Sequence, residues 1–202
     1  MRGVQEYYDK TAAEWAANGY DDKAYLPCLD EFLSLLAPGG RVLDLCCGAG
    51  YETGRIRARG FDALGLDFSG ESLNIARARN PGIPFFQAVM LDDYSHIGMV
   101  DGVLLSAGLV HIETKDLPLA FARMAKVVRP GGLVLASIRE GTGKLDEWSL
   151  RQIDGEEYDR NFIAHTLGEL TEGAGGLFAY QRELPSDMPI WHQYLFRREG
   201  NR

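Results

Sequence analysis

Two aspartates and two glycines set the chemistry this sequence could do. Asp44 lies four residues ahead of Gly48 inside VLDLCCGAG (42–50), and Asp67 sits near the end of LGLDFS (64–69). A buried strand running into a glycine turn and then a helix brings bare backbone N–H groups up to a bound ligand. Gly48 and Gly50 are the residues that permit it. An acid at the end of the next strand is placed to accept hydrogen bonds from both hydroxyls of a ribose, and bonds to a charged group are worth about 1.5–3 kcal/mol each. Phe68 beside it offers a face or edge to a purine. The set points to a nucleotide-bearing ligand and leaves several folds open, including NAD-dependent oxidoreductases. Against NAD stand the spelling of the turn, GAGYETG rather than GxGxxG, two helices ahead of the first strand, and little chain left for a substrate domain.

Composition narrows the partners. A net charge of −8 over 202 residues argues against a polyanion such as bulk nucleic acid, which calls for a basic face. No apolar run approaches the roughly 20 residues of a membrane helix, and MRGVQEYYDK has no apolar core of the signal-peptide type. Three cysteines, two of them adjacent at 46 and 47, make neither a disulfide framework nor a zinc motif. They read as small buried hydrophobes. The expectation is a cytoplasmic protein without a metal, with a small-molecule partner, as a monomer or homodimer.

The elements that must position these residues alternate. Thr11-Ala-Ala-Glu14 fits a capping box and predicts a helix starting near Thr11; Leu29, Phe32, Leu33 and Leu36 predict a second, stopped by Pro38-Gly39-Gly40. Strands are expected at 41–46, 62–67, 84–88, 100–106 and 133–138. Helices are expected at 51–59, at 70–79 with Ser69 as N-cap, and over Leu117–Val128. Strands alternating with helices mean right-handed crossovers and a parallel sheet, with ligands outside the carboxyl ends of the strands where strand order reverses. After Glu140 a polar loop, a helix near 166–172 and strand-like runs at 177–184 and 190–197 follow.

Taken together, VLDLCCGAG (42–50), LGLDFS (64–69), DGVLLSAGLVHI (101–112) and the RPGG–LVLAS run (129–137) resemble the class I S-adenosylmethionine-dependent methyltransferases. They resemble most the small bacterial members that begin with a Tyr-Tyr/Asp-rich helix and carry a "leucine-leucine-histidine" segment, here Leu109-Val110-His111. The resemblance implies an α/β, Rossmann-like doubly wound sheet of seven strands in the order 3-2-1-4-5-7-6, mostly parallel with the last strand antiparallel. It implies one domain over 1–202: an N-terminal helical lid (1–40), a cofactor-binding core (41–140), and a substrate-side loop, helix and strand pair (141–202).

The same resemblance implies S-adenosyl-L-methionine as cofactor and S-adenosyl-L-homocysteine as product. Gly48 and Gly50 would pack under the methionine moiety, with Cys46 in the same turn. Asp44 would orient the amino group, and Asp67, with Ser69 next in line, would hold the ribose. Phe68 and Met90 would sandwich the adenine beside Val89, Ser106 and Ala107 would line the route to the sulfonium, and Tyr7 or Tyr8 would close the lid. His111 and Glu140 are the candidate general bases, and Tyr158, Arg160, Trp191 and the REGTGKLDEW loop the candidate substrate contacts. Cys46 stands where the family usually has its first glycine, which opens or shifts the turn. Tyr51 replaces an arginine, and Val89 an acid on the adenine amino group, which predicts weaker cofactor binding. A non-catalytic module of the same fold is the alternative these departures suggest.

Overall fold

A computed structural model describes residues 1–188 and 190–200; residues 189, 201 and 202, part of the expected 1–202 unit, lie outside the described residues. The chain opens with α1 (Val4–Asp21) and α2 (Leu26–Ser34). It then alternates through β1 (Arg41–Leu45), α3 (Tyr51–Ala58), β2 (Asp62–Asp67), α4 (Gly70–Arg79), β3 (Phe85–Gln87), β4 (Val100–Ser106), α5 (Leu117–Val127) and β5 (Val128–Arg139). A segment of short pieces follows: β6 (Gly143–Lys144), α6 (Asp146–Ser149), β7 (Leu150–Ile153), β8 (Glu156–Asp159) and β9 (Ile163–Ala164). The chain ends with α7 (Leu167–Ala174), β10 (Phe178–Leu184) and β11 (Trp191–Arg198).

The main sheet has seven strands in the order β3-β2-β1-β4-β5-β11-β10. β1 to β5 pair in parallel, and β11 runs antiparallel to both β5 and β10, as expected for the last strand. β1 and β4 are buried on both faces, which suits their near-continuous apolar sequences. Strand order reverses between β1 and β4, so the carboxyl ends of β1, β2 and β4 meet at one place. No helix among the described residues is long and apolar enough to cross a membrane.

Three features depart from the sequence reading. α1 starts at Val4, well before Thr11: the Gly3 N–H donates to Glu6 Oε2 at 2.9 Å, and the Thr11 hydroxyl turns back to the Tyr7 carbonyl at 2.8 Å. Thr11-x-x-Glu14 is a cap pattern inside a helix already capped upstream. β5 begins at Val128 and absorbs Arg129-Pro130-Gly131-Gly132 through a register shift against β4. The supposed polar loop after Glu140 holds two small antiparallel pairs, β6 with β9 and β7 with β8. β7 and β8 join through Asp154-Gly155, both at positive φ (52° and 77°), the requirement of a tight two-residue hairpin turn.

α1 is fastened at both ends. Arg2 lies along β8, its N–H donating to the Glu157 carbonyl and its carbonyl accepting from the Asp159 N–H, each at 2.9 Å. At the other end the Arg55 guanidinium, paired with Glu52 at 2.8 Å, donates to the carbonyls of Gly19, Tyr20 and Asp22, satisfying the open end of the helix. In between, Asp9 accepts from the Ser69 hydroxyl at 2.6 Å.

Candidate active site

The turn after β1 is held from its far side. The Gly48 N–H donates to Asp67 Oδ2 and the Ser69 N–H to Asp67 Oδ1, both at 2.8 Å, so the acid at the end of β2 ties the turn to its own strand. These backbone bonds favour the carboxylate, while burial, the larger effect, pushes Asp67 above the usual range. Gly50 sits at φ 77°, and a Cβ there would stand 2.9 Å from the Ala76 Cβ and 3.0 Å from the Phe85 ring. Gly48, at φ 51°, faces open space.

Cys46 keeps the left-handed backbone expected of a glycine, at φ 63°, a conformation that costs an ordinary residue about 1–2 kcal/mol. Its side chain occupies the space left by Gly108, where a Cβ would come within 2.8 Å of the Cys46 sulfur. Burial pushes the Cys46 and Cys47 thiols well up, which disfavours the reactive thiolate.

Asp44 lies beneath the turn. Its Oδ2 accepts from the Thr53 hydroxyl at 2.6 Å, bracing α3, and burial pushes its carboxyl up to about 8.

A cavity of about 320 Å³ opens above this floor, within the range of small-molecule sites. It gathers Tyr8, Cys46, Gly48, Asp67, Phe68, Val89, Met90, Ser106, Ala107 and His111 of the expected set. Asp44 and Gly50 sit behind the turn, outside its lining, and Ser69 is fully buried as the cap of α4, accepting from the Ser72 N–H at 3.1 Å. Val89 is 44% exposed at the rim and Met90 is buried. Glu140 is outside the cavity: it is exposed, and it accepts the Tyr194 hydroxyl at 2.6 Å. The cause is the length of β5, which carries residue 140 past the strand ends into a bridge with His165. Tyr158 also misses the cavity, its ring edge-on to Tyr7 and its hydroxyl on Glu156.

His111 stands on a 3-10 turn (Leu109–His111) just after β4, and both ring nitrogens are engaged. Nδ1 is 2.8 Å from the Arg160 carbonyl, which can only accept, so Nδ1 carries the proton. Nε2 is then an acceptor, 2.9 Å from the Tyr8 hydroxyl. Burial pushes this imidazole down to about 4, leaving it neutral at physiological pH. Tyr8 meets Phe68 and His111 edge-on, at centroid distances of 5.9 and 5.4 Å.

The rest of the lining was only partly foreseen. Arg160 and Trp191 reach the cavity as candidates named above. Tyr51, named above as a departure from the family, also lines it, as do Gln5, Trp15, Trp148 and Phe162, which were not singled out individually. Tyr51, where an arginine was expected, lies against Gly19 of α1, whose absent Cβ would stand 2.3 Å from its ring. Aromatic residues in a segment after the last crossover were the available signal for Trp148 and Phe162.

Comparison with known proteins agrees with this geometry. Residues 42–132 match the model of a family described as "Methyltransferase domain". The chain is 31% identical over 155 residues to malonyl-[acyl-carrier protein] O-methyltransferase of Serratia marcescens, covering 75% of this chain and 57% of that protein. It is 30% identical over 184 residues to ubiquinone biosynthesis O-methyltransferase of Rhizobium etli, covering 79% of this chain and 73% of that one. The chain spans about half the length of the first curated relatives it matches. A solved structure of an amino pentose methyltransferase from Micromonospora echinaspora, with S-adenosylmethionine bound, shares the fold at a TM-score of 0.69 and 17% identity, over 92% of this chain and 96% of that one. With the motif order, sheet order and a relative covered over most of its length in agreement, the chain belongs to the class I S-adenosylmethionine-dependent methyltransferases.

Proposed function

We propose that this chain transfers the methyl group of S-adenosylmethionine to a small-molecule acceptor by in-line displacement. The observation that carries the reading is the union, in one cavity at the switch point, of the Gly48–Asp67 floor with the Tyr8–His111 pair. The residues present fit the cofactor. Gly48 leaves its backbone open, and Asp67 retains lone pairs for ribose hydroxyls. When bound, S-adenosylmethionine supplies a methyl group on a cationic sulfur, an electrophile that needs no metal for its activation.

The chain's own task is then alignment and exclusion of water, and good alignment is worth about 7–11 kcal/mol of barrier. Phe68 and Met90 would flank the adenine, Ser106 and Ala107 would line the approach, and α1, fastened at both ends, would cover the site. His111 holds its proton on the Arg160 carbonyl and turns its lone pair to Tyr8, which orients the phenol. An imidazole held near 4 is a weak base for a hydroxyl, so this site favours an acceptor that arrives ionised. Two of the relatives are named O-methyltransferases, which supports an oxygen nucleophile.

Calorimetric titration tests the reading. S-adenosylhomocysteine should bind saturably at micromolar concentration and NAD should not; folded protein that takes up neither would overturn it. Incubation with methyl-labelled cofactor and a fractionated metabolite extract would then find the acceptor by label transfer.

A further inference from the structure

Arg160 is 4% exposed and lines the cavity, yet no carboxylate pairs with it among the described residues. The neighbouring acids are engaged elsewhere: Asp159 with Lys144 at 2.5 Å, and Glu113 with the Asn161 amide at 3.1 Å. A guanidinium is always charged and has five N–H donors. Here Nε and one Nη2 proton go to the Trp148 carbonyl, at 3.1 and 2.7 Å. Its faces lie over the rings of Tyr7 and Phe162, at 5.0 and 5.6 Å from their centroids. Three N–H groups are left without a protein acceptor, and two of them, one on Nη1 and one on Nη2, run parallel at the end of the fork. The local backbone supports this placement: Asn161 sits at φ 47°, its N–H bonded to Asp159 Oδ1 at 2.7 Å, a turn that asparagine tolerates.

A buried charge without a partner is costly to maintain, and a carboxylate is the planar, bidentate group that fits such a fork. Around it stand Trp148, Phe162 and Trp191, with Phe162 centroid distances of 5.4 and 6.1 Å to the two indoles, an apolar wall suited to an aromatic or alkyl body. From these observations we infer that the methyl acceptor carries a carboxylate bound end-on by Arg160, with its apolar body against Trp148, Phe162 and Trp191. The inference rests on the methyl-transfer reading of this cavity and adds the charge and class of the acceptor. It also sets the site's buried cation at the acceptor end, apart from Asp67 at the cofactor end.

All three tryptophans of the chain line this cavity, so intrinsic fluorescence reports its occupancy without turnover. The whole chain, saturated with S-adenosylhomocysteine, would be titrated with benzoate and 3-phenylpropionate, with their neutral amides, and with phenyl phosphate. At least one carboxylate should quench saturably and bind at least about tenfold more tightly than its amide, the margin of one charge-assisted contact. Arg160→Gln should abolish that margin while leaving amide binding and S-adenosylhomocysteine binding within about twofold, the size expected away from a lost contact. Equal binding of acids and amides by the wild-type chain would overturn the inference, and so would a margin that survives in Arg160→Gln. Preference for phenyl phosphate over both carboxylates would overturn the carboxylate class. If Arg160→Gln fails to fold, the wild-type acid-to-amide ratio decides alone, with Arg160→Lys expected to keep part of the margin. Failure of S-adenosylhomocysteine to bind the wild-type chain is a separate outcome, and it overturns the methyl-transfer reading beneath the inference.

Discussion

Where the cavity is floored by the ends of β1, β2 and β4, backbone makes the site: a turn with three residues in left-handed conformation, and an aspartate that receives two backbone N–H groups. Where it is walled by α1 and by residues 148–162, side chains make it: Tyr8 on His111, and Arg160 between aromatic rings. The two regions also differ in their buried ionisable groups, with the carboxyls of Asp44 and Asp67 at the floor and the Arg160 guanidinium in the wall. A floor made of strand ends cannot change without changing the sheet. A wall made of side chains can be rebuilt one residue at a time.

The contrast can be broken most severely at a glycine. Gly50 and Gly155 share φ 77°, but a Cβ at 50 meets Ala76 and Phe85 whereas one at 155 meets nothing within 4 Å. Gly50→Ala should therefore cost about 2–4 kcal/mol, strain plus overpacking, read from denaturant midpoints at constant m-value. A loss no greater than that of Gly155→Ala would refute the packing of the turn.

The pH dependence of stability should have opposite signs at the two regions. His111 is depressed to about 4 from an ordinary 6.5, so it contributes stability above pH 6.5 that is lost as pH falls toward 4. The full effect is on the order of 3 kcal/mol. Asp44 is raised from 3.8 to about 8; the folded chain then holds a proton that the unfolded chain has released, and stability falls as pH rises through that window. His111→Gln should flatten the acid side of the stability profile relative to wild type, and Asp44→Asn the side between pH 4 and 8. Parallel profiles for wild type and variants would show that neither group is buried as described.

Asp67→Ala should weaken S-adenosylhomocysteine binding by at least about tenfold, or 1.4 kcal/mol, with the melting temperature still well defined. Unchanged affinity by calorimetry would move the ribose elsewhere. The smallest effect belongs to Gly155→Ala, about 1 kcal/mol from backbone strain alone, with cofactor affinity untouched because the hairpin belongs to the wall.

The same division decides how much could be read before any coordinates. The parallel core was legible because buried strands, glycine turns and amphipathic helices each have a period or a punctuation, and Ser69 was found as a cap for that reason. Asp67, Phe68 and His111 were placed by their position after strands. The wall was not legible in this way. Arg160 becomes a cavity residue only through the turn at Asn161 and the rings on either side of it, contacts with no signature in spacing. The hairpin was a different kind of miss: Asp154-Gly155 between Leu150–Ile153 and Glu156–Asp159 is a strong short-range signal, hidden by the polarity of its flanks. Thr11 misled in the other direction, since a capping pattern says nothing of a helix that has already started.

Cys46 and Gly108 have a joint consequence for how this chain can vary. The turn needs one small residue at this point, and here it is supplied from the other side of the contact. Gly108 leaves room for the Cys46 sulfur, the Leu105 methyl and the Met90 methyl together. Replacing Cys46 with glycine relieves a left-handed side chain and opens a small void. Enlarging position 108 requires those side-chain ends to shift. Position 108 is thus coupled to three neighbours at once, Leu105 most closely, and a library that randomises all four should recover larger residues at 108 mainly where Leu105, Cys46 and Met90 have shrunk or turned away.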